Sequence, residues 1–308
     1  MKGAKYEILN DMVIESEVIE TKKGSIEIYF PDKESKDKPV ILSSHGGIGG
    51  VDQSWLLMDW LDREKYRLLG VSRPGYLLTP LESGKGIEDQ ADLFAAVLDN
   101  FGIDKVVIIS ASAGGPPAYT FAMKYPGRTH GLIAIDSVSG YYDMPETVDA
   151  ISEAFFTSNM GQKLLKNIGE KKPEWFASQI FKSEAYFTKE QLKKHIEYVT
   201  TDNDAKKFIQ GFMNTMNPYK PRKAGTENDM ALYKDLTHLE VEKIDVPTLI
   251  VHGTHDADVK FYDGVYAYEN IKNARRYWIE EGSHLSFWLN EDARNAQKYA
   301  NEFIEDVI

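Results

Sequence analysis

Short apolar segments recur along the chain and are separated by polar turns and by helical patterns. The segments 13–20 and 25–30 alternate apolar and polar residues, which predicts a pair of antiparallel strands early in the chain. The later segments are apolar on both faces, which is typical of strands in the interior of a parallel sheet. These later segments cover residues 40–44, 66–71, 106–110, 131–135, 248–251 and 274–279.

Helical patterns lie between these segments. They cover residues 87–101, 113–125 and 290–308, with apolar residues at helical spacing. Alternation of strands and helices predicts a parallel sheet that is covered by helices on both faces. The sequence therefore predicts an α/β fold with a mostly parallel, eight-stranded sheet.

The alternation stops between residues 141 and 240. This part has helical patterns only, at 147–156, 189–199 and 204–213, and it is rich in aromatic residues. We expect it to be a helical cap inserted over the carboxyl edge of the sheet, with residues 1–140 and 241–308 forming the core. The polar segment 221–226 is expected to be an exposed loop.

Composition narrows the range of partners. The chain of 308 residues carries a formal net charge of −12, which disfavours nucleic acid and anionic membranes because both repel an acidic surface. It has no cysteine, which excludes disulfides and thiol nucleophiles. No segment approaches the roughly 20 apolar residues of a membrane span, and residues 1–10 do not resemble a secretion signal. A cytoplasmic protein is expected.

Ser112 lies where the apolar segment 106–110 changes into a helical pattern. A serine on so sharp a turn has a strained backbone, and the residues two positions before and after it must be small to avoid collision. Ser110 and Gly114 meet this requirement, although glycine is usual at the first position. Ser112 is therefore the candidate nucleophile, and its alternative role is to cap the helix.

A glycine-rich segment, His-Gly-Gly-Ile-Gly-Gly at 45–50, follows the apolar segment 40–44. Glycines allow the backbone N–H groups of such a loop to face a substrate oxygen. The N–H groups of Gly47 and Ala113 are the candidate oxyanion hole. The glycine spacing does not match nucleotide-binding patterns, so a phosphate-binding loop has little support. No cofactor is expected, because the candidate nucleophile, base and oxyanion donors are all protein groups.

An aspartate and a histidine follow the last two predicted strands. Asp256 stands in Gly-Thr-His-Asp and His284 in Gly-Ser-His, so the chain order is serine, aspartate, histidine. These residues predict a triad in which His284 takes the proton of Ser112 and Asp256 orients the imidazole ring.

Two other aspartates are alternatives for the acid. Asp136 follows the segment 131–135, and Asp258 lies two residues after Asp256, where capping or solvation is its other expected role. No two histidines stand four residues apart beside a glutamate, so no metal site is expected.

These motifs, with the Ser-Arg-Pro-Gly-Tyr turn at 72–76, resemble those of the α/β-hydrolase superfamily. The sequence is similar to the prolyl-iminopeptidase and esterase branch, and the segment 141–240 corresponds to the variable cap of that family. The resemblance implies a Ser-His-Asp triad and an oxyanion hole made by the protein alone. It assigns the triad to Ser112, Asp256 and His284, and the oxyanion donors to Gly47 and Ala113.

The resemblance implies hydrolysis of a carboxylic ester or a related acyl bond through an acyl-enzyme. The aromatic insertion favours a moderately apolar small-molecule substrate. Aminopeptidase or amidase activity, carbon–carbon bond hydrolysis and cofactor-free haloperoxidase activity are alternatives of the same fold, and a catalytically silent ligand receptor is an alternative of another class. Glu153, Glu184 and Glu197 are candidates to bind a substrate ammonium group, or else belong to a solvated face.

Overall fold

The computed structural model describes residues 3–142, residue 161 and residues 173–308. In chain order the described elements are β1 (Lys5–Leu9), β2 (Met12–Glu15), β3 (Glu17–Thr21), β4 (Gly24–Tyr29), β5 (Val40–Ser44), α1 (Val51–Leu56), β6 (Arg67–Val71), α2 (Ile87–Phe101), β7 (Val106–Ala111), α3 (Gly115–Lys124), β8 (Thr129–Ile135), α4 (Pro173–Glu184), α5 (Lys189–Thr201), α6 (Asn203–Thr215), α7 (Lys223–Lys234), β9 (Thr248–Gly253), α8 (Phe261–Asn270), β10 (Arg275–Ile279), α9 (Ser286–Leu289) and α10 (Ala293–Val307).

The main sheet has eight strands in the order β10-β9-β8-β7-β5-β6-β4-β3. Strand β4 runs antiparallel to β3 and β6, and the other neighbouring strands are parallel. The predicted mostly parallel, eight-stranded sheet is therefore confirmed. Because β5, β7, β8, β9 and β10 are parallel, the loops that follow them leave the same edge of the sheet.

Strand β7 shows why the sheet needs helices on both faces. All six of its residues are buried. Val107 and Ile109 pack into an apolar cluster with α9 and α10, whereas Val106 and Ile108 pack into another with α2 and α3. This two-sided burial holds rigidly in place the strand end from which Ser112 follows.

The segment 13–20, predicted as one strand, is two strands in different sheets. Strand β2 pairs with β1 in a two-stranded sheet, and β3 pairs with β4 in the main sheet. The break is at Ser16, whose N–H donates to the Ala4 carbonyl and whose hydroxyl donates to the buried Glu27 carboxylate at 2.6 Å. These tertiary hydrogen bonds interrupt a pattern that is continuous in the sequence.

Four helices, α4 to α7, lie in the described part of the segment between β8 and β9. Helices α5 and α6 confirm the patterns at 189–199 and 204–213, and the pattern at 147–156 lies outside the described residues. The predicted exposed loop at 221–226 is wrong, because α7 begins at Lys223 and Arg222 is fully buried. A buried ion pair with Asp52 explains why this polar residue faces inward. None of the helices among the described residues is both long and apolar enough to cross a membrane.

Candidate active site

Ser112 occupies a sharp turn between β7 and α3. Its φ is 51°, in the left-handed region that non-glycine residues rarely adopt, at a cost of roughly 1–3 kcal/mol. The carbonyl of Ser112 accepts hydrogen bonds from the N–H groups of Gly115 and Val138, which hold the turn. The neighbouring strands thus stabilise a backbone conformation that the local sequence alone disfavours.

The small residues around Ser112 are required by contact with other strands. A Cβ atom on Gly114 would lie 2.2 Å from the carbonyl oxygen of Ser44, so no larger residue fits without movement. Ser110, which stands where glycine is usual, is buried, and its hydroxyl lies 2.9 Å from the Ser137 hydroxyl. The departure from glycine is therefore accommodated by a hydrogen bond to a residue just past the next strand.

The glycine-rich loop after β5 lies directly against Ser112. A Cβ atom on Gly46 would be 3.2 Å from the Ser112 Cβ, and one on Gly47 would be 3.9 Å from the Ala113 Cβ. Gly47 and Ala113, the predicted oxyanion donors, both line the same cavity as Ser112. The structure therefore brings these residues together at one place.

His45 holds this loop and is not free to act as a base. Its Nδ1–H donates to the Gly46 carbonyl at 2.7 Å, and its Nε2 accepts the N–H of Arg73 at 2.9 Å. The ring is neutral in this arrangement, and burial together with the Arg73 guanidinium keeps the pKa of His45 well below its ordinary value. The Arg73 side chain also donates to the carbonyls of His45 and Gly46.

Asp256 and His284 are in direct contact. The distance between His284 Nδ1 and Asp256 Oδ2 is 2.8 Å, and both side chains are almost fully buried. The other oxygen of Asp256 accepts the N–H groups of Asp258 and Val259, which fixes the carboxylate. Burial opposes ionisation of Asp256, but the His284 and His252 rings keep its pKa below the ordinary value.

Asp136, the alternative acid, is buried at the end of β8 and contacts backbone instead of the ring. Its Oδ1 accepts the N–H of Gly253 at 2.9 Å, and its Oδ2 accepts the N–H of Leu285 at 3.1 Å. It therefore links the loop that carries Asp256 to the loop that carries His284. Burial raises the pKa of Asp136 to about 6.

Asp258, the other alternative, lies on the opposite side of the His284 ring. Its Oδ2 is 3.3 Å from His284 Nε2, and its Oδ1 accepts the Tyr142 hydroxyl at 2.6 Å. Sequence reasoning assigned Asp258 to capping or solvation and missed this contact. Its position two residues after Asp256 was the only signal, and that spacing does not show which way the side chain turns.

The three candidate glutamates of the insertion have different surroundings. Glu184 lies at the end of α4 and lines the cavity, with Oε2 buried and without a hydrogen-bond partner among the described residues. Burial raises the pKa of Glu184 to about 8. Glu197 is exposed on α5, and Glu153 lies outside the described residues. Of the two described glutamates, Glu184 is thus the one placed to touch a substrate.

One buried cluster in the described residues has the composition of a metal site. It consists of Asp136, His252 and Asp256, whose potential ligand atoms lie within 4.8 Å of one another. Both oxygens of each aspartate already accept hydrogen bonds, and His252 Nε2–H donates to the Val259 carbonyl. The cluster is better explained as a hydrogen-bonded support for the His284 loop than as a metal centre.

A cavity of about 590 Å³ connects these groups. Ser112, Ala113, Gly47, His284 and Asp258 line one side of it. The remaining wall is largely apolar or aromatic and comes in good part from the helices between β8 and β9. It includes Leu57, Val138, Phe212, Met216, Tyr219, Met230 and Tyr233. A cavity of this size and lining suits a small organic substrate.

The fold and this site correspond to a known family. A family model for the alpha/beta hydrolase fold matches residues 39–291. The chain therefore belongs to the α/β-hydrolase family and is an enzyme of that class, which confirms the resemblance seen in its motifs.

Relatives of the chain include enzymes with different substrates. A proline iminopeptidase of Saccharolobus solfataricus is 29% identical over 229 residues, covering 72% of this chain and 68% of that protein. The bifunctional esterase/perhydrolase DCH of Acinetobacter calcoaceticus is 24% identical over 271 residues, covering 83% of this chain and 88% of that protein. Among solved structures, an alpha/beta hydrolase fold protein from Nakamurella multipartita has a TM-score of 0.86 and 28% identity, covering 94% of this chain and 98% of that one.

Proposed function

We propose that this enzyme is a serine hydrolase that cleaves a carboxylic ester, or a related acyl bond, through an acyl-enzyme. In the proposal Ser112 is the nucleophile, His284 the general base and Asp256 the acid of the triad. The observation that carries it is the 2.8 Å contact between His284 and Asp256, beside a cavity that both His284 and the strained Ser112 line.

The proposed reaction has two halves. Ser112 Oγ attacks the substrate carbonyl while His284 Nε2 takes the hydroxyl proton, and the ring then gives this proton to the departing alcohol. Water attacks the acyl-enzyme in the same way and regenerates Ser112. Asp256 holds the proton on Nδ1, so that Nε2 is the basic atom, and it stabilises the imidazolium that forms.

The oxyanion of each tetrahedral intermediate would be bound by the N–H groups of Gly47 and Ala113. Loss of one such donor typically costs about 2.7–4 kcal/mol of transition-state stabilisation. The loop that carries Gly47 is supported by hydrogen bonds from Arg73 to two of its carbonyls and from Arg222 to the Gly49 carbonyl. These hydrogen bonds to the loop favour an N–H group of Gly47 that is already oriented before the substrate binds.

We further propose that residues 141–240 form a cap over the site. Glu184, Phe212, Tyr219 and Met230, from the described part of this segment, line the cavity. Apolar and aromatic side chains favour an uncharged, moderately apolar substrate, because burial of an unpaired charge is costly. The similarity to an enzyme named as an esterase supports an ester as the first choice.

An aminopeptidase is the second candidate, and Glu184 is the observation that favours it. Its carboxyl oxygen, which has no hydrogen-bond partner among the described residues, lies in the cavity wall, where a substrate ammonium group would lower the carboxyl pKa so that the proton leaves to solvent and an ion pair forms. The similarity to a proline iminopeptidase points the same way. Glu184→Gln would then reduce kcat/KM for proline p-nitroanilide by about 10- to 100-fold, whereas Glu197→Gln on the exposed face would not.

The test of the proposed function combines a covalent probe with a substrate panel. A fluorophosphonate should add one adduct to the purified protein, mapped to Ser112 by peptide mass spectrometry, and it should leave Ser112→Ala unlabelled. The wild type should hydrolyse short- or medium-chain p-nitrophenyl esters, and Ser112→Ala and His284→Ala should not, although circular dichroism should show that both variants are folded.

The outcomes separate the candidates. Hydrolysis of proline p-nitroanilide without ester hydrolysis would favour the aminopeptidase. A folded protein that neither reacts with the probe nor turns over any ester or amide would show that the proposed function is wrong and would favour a ligand receptor.

A further inference from the structure

The His284 ring lies between two carboxylates from a single loop. Nδ1 is 2.8 Å from Asp256 Oδ2, and Nε2 is 3.3 Å from Asp258 Oδ2. The first contact is a hydrogen bond, and the second is an ion-pair distance that is favourable only when the ring carries a positive charge, because an ionised carboxylate offers lone pairs and no proton. The arrangement therefore favours an imidazolium, with a hydrogen bond at Nδ1 and a carboxylate facing Nε2.

This matters because Nε2 is the atom that the proposed reaction requires. To receive the Ser112 proton, Nε2 must present a lone pair, and a protonated Nε2 facing Asp258 cannot do so. Once that proton leaves to solvent, the lone pair would face a carboxylate and be repelled by it. The neutral ring then gains by turning from Asp258 towards the Ser112 hydroxyl.

We propose that Asp258 is a positioning residue that forms an ion pair with the protonated resting His284 ring, so that the ring must leave Asp258 before it can serve Ser112. The inference deepens the proposed function and rests on it for the role of Ser112. The contact between Asp258 and His284 is independent of that role.

Asp258 is itself firmly held, which makes it a defined partner and not a passing surface contact. The Tyr142 hydroxyl donates to its Oδ1 at 2.6 Å, and its own N–H donates to Asp256 Oδ1 at 2.9 Å. Its side chain is 20% exposed and lines the cavity. A substrate entering the cavity would therefore meet this carboxylate and the ring together.

Other ionisable groups also surround the ring, and three aspartates among them favour its charge. Burial opposes the charge on His284, but the carboxylates that face it keep its pKa well above the ordinary value. These groups come from three places: the loop after β9, the end of β8 and the end of α4. Asp256, Asp258 and Asp136 raise the pKa of His284, whereas Glu184, with its own pKa raised to about 8, faces the ring as a neutral acid near pH 7. His252 lies behind Asp256, and Tyr142 lies behind Asp258.

The first test is the pH profile of kcat/KM for a p-nitrophenyl ester, measured for the wild type and Asp258→Asn. The asparagine keeps an acceptor for Tyr142 and can donate to an unprotonated Nε2, so the acid limb should move to lower pH by about one unit. The comparison is made at a pH one unit below the midpoint of the wild-type acid limb, with the activity of each protein expressed as a fraction of its own plateau. This fraction should be about fivefold higher for Asp258→Asn than for the wild type.

Two further variants separate this effect from a change in charge or in folding. Asp235→Asn removes the same charge at an exposed position after α7, and its acid limb should stay where the wild type has it. Tyr142→Phe releases Asp258 from its anchor and should shift the limb in the same direction by a smaller amount. An acid limb that is unmoved in a folded Asp258→Asn protein overturns the proposal.

A second readout does not depend on turnover. Nitrogen-15 NMR of the His284 ring is recorded in a Ser112→Ala background, with and without the further change Asp258→Asn. The ring should stay doubly protonated to higher pH in the protein that keeps Asp258. If this holds and no ester is hydrolysed by the wild type, the positioning contact stands and the proposed function fails. If esters are hydrolysed and the ring titrates alike in both proteins, the proposed function stands and the inference is overturned.

Discussion

Arg222 and Asp52 form a two-point ion pair that is buried from solvent. Nη1 lies 2.9 Å from Oδ1 and Nη2 lies 2.6 Å from Oδ2, with side chains that are 0% and 4% exposed. The pair joins the residue before α7 to α1, and Arg222 also donates to the Gly49 carbonyl. It therefore ties the helical segment to the loop that carries the proposed oxyanion donor Gly47.

The first prediction concerns the stability that this pair provides. Asp52→Ala should lower the free energy of unfolding by about 3–5 kcal/mol, because it leaves Arg222 buried without its counter-charge. Urea unfolding followed by circular dichroism measures the change. The control is Glu227→Ala, which breaks an exposed pair with Lys223 and should cost less than about 1 kcal/mol.

If Asp52→Ala does not fold, the milder Asp52→Asn variant permits the same comparison, since the amide oxygen can still accept from Arg222. Equal losses for the Asp52 and Glu227 variants would contradict the view that burial makes this pair important.

The second prediction distinguishes the two candidate acids. Asp256→Asn should reduce kcat for an ester by about 10⁴-fold, because an amide facing Nδ1 stabilises the wrong tautomer of His284. Asp136→Asn should reduce kcat much less, since the ring keeps its contact with Asp256. Steady-state kinetics of the two purified variants measure these losses in kcat. A larger loss for Asp136→Asn than for Asp256→Asn would transfer the acid role to Asp136.

The third prediction concerns pH and Glu184. Its pKa is about 8 in the folded protein and near 4.5 ordinarily, so between these values the folded chain keeps a proton that the unfolded chain has lost. Stability should therefore fall as the pH rises through this window, by at most roughly 1.4 kcal/mol per unit. Glu184→Gln cannot titrate and should lose less stability between pH 5 and pH 8.

Urea unfolding at several pH values, with Glu197→Gln as the control on the exposed face of α5, measures this slope. A pH dependence that is the same in the wild type and in both variants would show that Glu184 does not hold a proton in the folded protein.

The fourth prediction concerns the turn that carries Ser112. A Cβ atom on Gly114 would meet the carbonyl oxygens of Ser44 and His45 at 2.2 and 2.6 Å, so Gly114→Ala must displace backbone. We expect a loss of about 1–3 kcal/mol in stability together with reduced ester hydrolysis, because overpacking moves the turn. Thermal unfolding and kcat/KM measure the two effects.

The matched control is Gly127→Ala, where a Cβ atom would have no neighbour within 4 Å. This variant should resemble the wild type in both measurements. A Gly114→Ala protein with unchanged stability and rate would show that the turn has more room than the structure indicates.

Much of the fold can be predicted from local patterns. Helix α2 has the predicted bounds, and each of the six later apolar segments is a strand. These elements are predictable because burial on one or both faces requires apolar residues at a regular spacing along the sequence. The predictions of one strand at 13–20 and of an exposed loop at 221–226 were wrong for a different reason. Ser16 breaks a strand and Arg222 is buried because of Glu27 and Asp52, partners that are distant in the chain.

For the site, the sequence by itself determined the strand-end positions of Ser112, Asp256 and His284, since motif spacing relative to apolar segments is a local property. Only the tertiary structure decided which aspartate touches the ring. Asp136 is drawn away by backbone N–H groups of two other loops, and Asp258 turns to the far nitrogen of His284. Such choices depend on donors that converge from separate strands, and no pattern along one segment records them.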